Sequence, residues 1–221
     1  MKSDETVVTG VSGGADSLYL LFHLQQAGQP VIAAILDHQL RPESSREVAF
    51  VQEICVTYGV PCVAGKADVA ALAQTRRCSI EEAARIARYE FLFGVARRHH
   101  AAAVATAHHA DDQVETVLMH FLRGSGLEGL TGMRPRTILP QWDPEEKIPL
   151  IRPILANRDQ ILVQRNQTDA CRRSIQPGHA IFPQPAAAQA DSAPGSGIQP
   201  ANQAPYPDPG SNSSRRYANH S

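Results

Sequence analysis

Short β-rich runs alternate with helix-length segments through the first 160 residues, and this alternation restricts the chain to few architectures. Val7–Val11 is the first run and opens into Ser12-Gly13-Gly14. From Asp16-Ser17 onward, Leu18, Leu21, Phe22 and Leu24 recur at helical spacing until Gly28 and Pro30 stop them. Val31–Leu36 predicts a second strand, Glu43–Tyr58 a helix closed by Gly59, and Val60–Ala64 a third strand. Ser79–His99 is the longest helical signal, with Ser79 and Glu82 at capping-box spacing. Ala102–Thr106 and Asp111–Leu122 add another strand and another helix. Strands that are apolar throughout must be covered on both faces, and the intervening helices supply the cover. The expected class is α/β: a doubly wound parallel sheet with helices on both faces.

The pattern stops near residue 163. Beyond Val163 there is no Leu, Val, Glu or Lys, and Cys171–Ser221 holds eight of the sixteen prolines. Only Ile175, Ile181, Phe182 and Ile198 supply large aliphatic or Phe side chains after Cys171. They are too few to offset about 1–2 kcal/mol of backbone entropy per residue. The expected organisation is one folded domain, residues 1–162, followed by a disordered low-complexity tail, residues 163–221.

A formal charge of −1, from 21 Lys+Arg and 22 Asp+Glu, argues against holding nucleic acid through a global basic field. No apolar run approaches the roughly 18 residues of a membrane span. Met1–Glu5 lacks a signal-peptide profile. Cys55, Cys62, Cys78 and Cys171 show neither C-x-x-C nor zinc spacing. A reducing cytoplasm, with no membrane partner, is the expected setting.

In open parallel sheets ligands bind outside the carboxyl ends of the strands. The first strand ends there in Ser12-Gly13-Gly14-Ala15-Asp16-Ser17. Two glycines let backbone N–H groups approach an anion, and the following helix aims its positive end at it. No Lys follows, so this is neither the G-x-x-x-x-G-K-[ST] loop nor G-x-G-x-x-G. A carboxylate and two hydroxyls around the glycines suit a pyrophosphate held by backbone and Ser groups, with Asp16 handling Mg²⁺.

Three further clusters stand out, the first and third of them at strand carboxyl ends. Asp37-His38-Gln39-Leu40-Arg41 follows the second strand, where Asp37 and His38 also read as turn residues and Arg41 as solvated. Arg85 and Arg88 are three apart on one helical face, which is equally the pattern of a solvated stripe. His108-His109-Ala110-Asp111-Asp112-Gln113-Val114-Glu115-Thr116 joins a strand to a helix, with Asp111 placed as its N-cap. Asp112 and Glu115 share one helical face and could grip an ammonium group; with His108 and His109 they could also be read as a metal cluster.

The hexapeptide at residues 12–17 resembles the SGGxDS signature of the PP-loop ATP pyrophosphatase family. SGGADS, LDHQLR, ARIARYEFL, TAHHADDQVETVL, RGSGLEGLTGM and LIRPIL occur in the order found in one branch, the tRNA(Ile)-lysidine synthases. The resemblance runs from Val7 to Leu162 and implies a PP-loop, adenine nucleotide alpha hydrolase-like fold. It implies adenylation by ATP of the C2 oxygen of the wobble cytidine in the CAU-anticodon isoleucine tRNA, loss of pyrophosphate, and displacement of AMP by the ε-amine of free L-lysine. Carried over residue by residue, Ser12, Gly13, Gly14, Ala15, Asp16 and Ser17 would cradle ATP. Asp16 would be the catalytic and Mg²⁺-linked carboxylate. Arg88 would meet the reacting groups or phosphates, and His38, with Arg41, would lie near the nucleotide. Asp112 and Glu115 would bind lysine. The expected partners are tRNA and lysine, with room for a homodimer.

Two rivals stand beside this expectation. A tRNA thiolase of the same family would usually need paired cysteines. A non-catalytic or defective ATP-binding fragment is the other, because the resemblance stops at Leu162 whereas the family continues into domains that hold tRNA. The tail reads either as out-of-frame sequence or as a natural low-complexity segment. On this reading the 221-residue chain is a poor lysidine synthase, because residues 1–160 carry 16 Lys+Arg against 19 Asp+Glu.

Overall fold

The computed structural model describes residues 4–41, 44–124, 131–145 and 147–156, all within the unit Met1–Asp191. The expected domain boundary, the expected disordered tail and part of the Leu122–Met133 turn lie outside the described residues. Six strands form one sheet: β1 (Val7–Gly10), β2 (Val31–Asp37), β3 (Cys62–Lys66), β4 (Ala103–Ala105), β5 (Arg136–Thr137) and β6 (Leu150–Ile151). Their spatial order is β3-β2-β1-β4-β6-β5. β1 pairs in parallel with β2 and β4, β2 with β3, and β4 with β6. The expected doubly wound parallel sheet is present, with one edge strand reversed: β5 runs antiparallel to β6. It joins β6 by doubling back within one loop system, a connection that antiparallel pairing permits without a crossover helix.

The helices are α1 (Ala15–Gln26), α2 (Ser44–Thr57), α3 (Val69–Arg76), α4 (Ile80–Arg98) and α5 (Ala110–Leu122). Successive strand side chains point to opposite faces. Val7 therefore joins Leu18, Leu21 and Val51 of α1 and α2 in one core. Val8 joins Leu92, Phe93 and Val95 of α4 in the other. The doubly wound arrangement follows from that division. Among the described residues no helix is long and apolar enough to cross a membrane.

Three local differences from the sequence reading have physical causes. β3 begins at Cys62 rather than Val60, because Val60 closes α2: Gly59 takes φ +65° and Val60 N donates to Cys55 O at 2.8 Å. That is the pairing in which a left-handed residue ends a helix. The short helix α3 was not expected; Asp68 caps it by accepting from Ala71 N, and Val69 and Ala73 pack on Ala83 and Ala87 of α4. Finally, Cys55 of α2 and Cys62 of β3, unpaired by sequence spacing, share a side-chain hydrogen bond that, with burial, pushes the Cys55 thiol up.

Candidate active site

The carboxyl ends of β1, β2 and β4 open onto a cavity of about 720 Å³. Its first wall is the loop between β1 and α1. Gly13 adopts φ +78°, a left-handed conformation in which a Cβ would crowd the following carbonyl. Gly14 is the N-cap of α1 and places no side chain over the first turn. The N-terminal amides and the positive end of the helix thereby lack a capping side chain, an arrangement able to receive an anion. Ser17 shapes this loop from within. It is 6% exposed, its hydroxyl donates to Gly14 O at 2.8 Å, and it accepts from Ser12 N at 3.2 Å. Asp16, one residue earlier, faces the cavity.

The second wall follows β2. Asp37 is a structural acid there: Oδ1 accepts from Gln39 N at 2.8 Å and from the Ser44 hydroxyl at 2.7 Å, tying the strand end to the start of α2. His38 lines the cavity, and its Nδ1 is buried without a hydrogen-bond partner. Burial, reinforced by the positive Arg88 and opposed by Asp37, lowers its pKa below the ordinary 6.5. Among the described residues this nitrogen is an unsatisfied buried polar atom in a residue that lines the cavity.

The third wall is the turn from β4 into α5. Asp111 was expected as the cap, but the structure gives that role to His109. His109 Nδ1 accepts from Asp111 N at 3.2 Å, and Asp112 Oδ2 accepts from His109 N at 2.8 Å. The longer imidazole spans the turn, while Asp112, at the third helical position, completes the reciprocal pair. His109 Nε2 also lies 3.7 Å from Asp16 Oδ2 and 3.7 Å from Asp112 Oδ2. His108 Nδ1 meets Thr106 Oγ1 at 2.9 Å. Its pKa is pushed down to about 4, first by burial and then by the positive Arg152, against the opposing pull of Asp112. Gln113 anchors the far side of α5's first turns: its side chain accepts from Met133 N at 2.7 Å and donates to Met133 O at 3.1 Å.

Of the residues expected at the nucleotide, Ser12, Gly14, Asp16, Ser17 and His38 line the cavity, as does Arg41. Gly13 and Ala15 contribute backbone to the loop without lining it. Arg88 and Asp112 reach the same space from α4 and α5. Glu115 does not: it is exposed on α5, one turn further along. Arg85 turns instead to the Tyr89 ring, with its guanidinium carbon 5.2 Å from the centroid.

Sequence reasoning grouped His108 and His109 with the acids but missed Arg152 beside His108. Arg152 is 8% exposed and donates to Arg134 O at 2.7 Å. Its only sequence signal was a place within LIRPIL. The metal-cluster alternative finds no support: among the described residues no group of three or more His, Cys, Asp or Glu could hold a metal ion. Mg²⁺ at Asp16 would have to draw its other oxygens from phosphates and water, as this hard cation commonly does.

Comparison with known proteins agrees with this construction. Three tRNA(Ile)-lysidine synthases align with the chain. That of Deinococcus deserti is 46% identical over 138 residues, covering 62% of this chain and 26% of the relative. That of Zymomonas mobilis is 41% identical over 145 residues, covering 66% and 42%. That of Thermus thermophilus is 40% identical over 153 residues, covering 69% and 28%. The chain thus spans less than half the length of each of these curated relatives. In structure it resembles a U34-tRNA thiolase from Methanococcus maripaludis that carries a 4Fe-4S cluster, with a TM-score of 0.60, 18% identity, and coverage of 80% of this chain and 61% of that one; at that identity the likeness concerns the fold alone. Residues 1–172 match the PP-loop domain, and with the loop, cavity and sheet order described above the chain belongs to that family.

Proposed function

We propose that this chain carries the ATP-binding catalytic domain of a tRNA-modifying ligase that joins lysine to C2 of the wobble cytidine in the CAU-anticodon isoleucine tRNA. One observation carries the reading: the glycine loop of β1–α1, the acid-bearing first turn of α5 and Arg88 of α4 all line a single cavity.

The backbone of residues 12–15 and the α1 N-terminus receive the phosphates of ATP, and His38 Nδ1 completes its hydrogen bonding against the bound nucleotide. Asp16 would hold Mg²⁺, whose charge would offset that of the phosphates when bound. The cytidine C2 oxygen attacks the α-phosphorus; the α–β bond breaks and pyrophosphate departs. Arg88 stabilises the negative charge that develops there. The lysine ε-ammonium, held by Asp112, first gives one proton to water; the free amine then attacks C2, the C–O bond to AMP breaks, and the new C–N nitrogen releases its second proton to water. Adenylation makes the step feasible by replacing a poor oxygen leaving group with AMP.

A thiolase reading needs a thiol at the reacting centre. Cys55, Cys62 and Cys78 are free thiols, but none of them lines the cavity. The test is incubation of the chain with ATP, Mg²⁺, isoleucine tRNA and isotopically labelled lysine. Lysine-dependent AMP release and label in the tRNA support the proposal, whereas ATP cleavage that ignores lysine but requires a sulfur donor replaces it with the thiolase reading.

A further inference from the structure

His109 does more than its capping role requires. Ser, Thr, Asn and Asp are the preferred N-caps because a short polar side chain suffices to close a helix. A histidine in their place extends a second ring nitrogen beyond the cap. His109 Nδ1 accepts the Asp111 N–H, so that nitrogen carries no proton and the ring's N–H is on Nε2. Nε2 lies 3.7 Å from Asp16 Oδ2 and from Asp112 Oδ2. These acids stand in the first turns of two different helices. The His109 side chain is only 12% exposed, less than either acid at 24% and 36%, so water screens the contact incompletely.

We propose that His109 is a positioning residue that couples the carboxylate of the β1–α1 loop to the first carboxylate of α5. The inference rests on the reading of Asp16 as the nucleotide acid and Asp112 as the amine acid. Two carboxylates facing one cavity repel each other, and an N–H dipole 3.7 Å from an oxygen of each lowers that cost. Asp112 Oδ2 already accepts the His109 backbone N–H, which turns this oxygen toward the histidine and leaves Oδ1 to meet an ammonium group. When Mg²⁺·ATP draws Asp16 toward the phosphates, the Nε2–H passes wholly to Asp112 and fixes that orientation. Occupancy of the nucleotide site thereby changes the affinity of the amine site.

The test is ¹⁵N-histidine NMR on the whole 221-residue chain, with the His109 signals assigned through His109→Asn. Asparagine can still cap the helix but cannot reach both acids. The expected result is the Nε2-protonated tautomer, an Nε2 resonance displaced by Asp16→Asn and by Asp112→Asn, and no displacement by Glu53→Gln, an exposed acid of α2 that does not line the cavity. If one of the two aspartate variants fails to fold, the other carries this arm. In calorimetry, Mg²⁺·ATP should change lysine affinity by at least about fivefold in the parent chain, and His109→Asn should abolish that dependence. A resonance unmoved by the aspartate variants, or a coupling that survives His109→Asn, overturns the proposal. Failure of the chain to bind Mg²⁺·ATP or lysine overturns the functional reading instead, while the NMR arm still decides whether His109 links the two acids.

Discussion

Two strand-to-helix turns meet at the cavity, and they are built from opposite materials. The β1–α1 turn is made of backbone: Gly13 in a left-handed conformation and Gly14 as a cap without a side chain. The β4–α5 turn is made of side chains: His109 and Asp112 satisfy the helix start between them, and His108 bonds to Thr106. The first turn leaves its amides and helix dipole pointing outward, which suits an extended anion such as a polyphosphate. The second closes its own hydrogen bonds and presents carboxylate oxygen instead, which suits a cation. A single fold edge thus offers two opposite charge preferences across one cavity.

The largest expected effect on ligand binding separates the turns by ligand. Asp16→Ala removes the carboxylate of the anion-facing turn and should weaken Mg²⁺·ATP binding by about 10-fold to 100-fold, the equivalent of a lost charge-assisted interaction. Calorimetric titration with and without Mg²⁺ checks this; an unchanged Mg²⁺·ATP affinity would remove Asp16 from the nucleotide site.

The second prediction concerns the side-chain turn and pH. His108 is held at about 4, below the ordinary 6.5, so below about 6.5 the unfolded chain takes up a proton that the folded chain refuses. Stability is therefore full above that value, falls as the pH drops toward 4, and levels off below it. The loss is on the order of 3 kcal/mol at most, and His38, shifted in the same direction, adds to the slope. Urea unfolding across this window should show His108→Gln with a markedly flatter profile. Parallel profiles for parent and variant would mean that the turn does not bury a neutral imidazole.

Asp112→Asn sharpens the same contrast. The amide oxygen can still accept the His109 N–H, so the helix start survives while the charge is lost. Lysine binding should weaken by roughly 10-fold, with a much smaller change for Mg²⁺·ATP. Equal effects on both ligands would move Asp112 to the nucleotide side.

The smallest expected effect tests the backbone turn. At Gly13 a Cβ would meet Val51 Cγ2 at 3.4 Å, an ordinary contact, so the cost of Gly13→Ala lies in φ +78°. It should be about 1–2 kcal/mol, read as a lower unfolding midpoint together with weaker ATP binding. A midpoint equal to the parent's would show that the loop relaxes to another conformation without loss.

How much of this was legible depends on where the determining interactions are. The helices α1, α2, α4 and α5 and strands β1, β2 and β4 were readable because their apolar periodicity is local, and residues 12–17 were readable because glycine at a strand end has a backbone meaning. Helix α3 was missed because it packs through Val69 and Ala73, too few apolar positions to make a period. Strands β5 and β6 have two residues each and exist only through their neighbours. The assignment of Asp111 as cap failed because residue preference ranks short acceptors first, whereas the imidazole of His109 could reach both the helix amide and the acids across the cavity.

The sequence by itself determined the α/β class, the glycine loop and the order of the charged clusters along one sheet edge. Each of these depends on spacing within a few residues or on the backbone freedom of one residue type. Only the tertiary structure decided that His109 lies between Asp16 and Asp112, that Arg152 and Asp112 set the charge around His108, and that Glu115 lies outside the cavity wall. Asp16 and Arg152 are separated from these histidines by many residues in the chain, and their distances are fixed by how the helices and loops pack around the sheet. Residue patterns encode which groups can interact; the packed sheet selects the pairs that do.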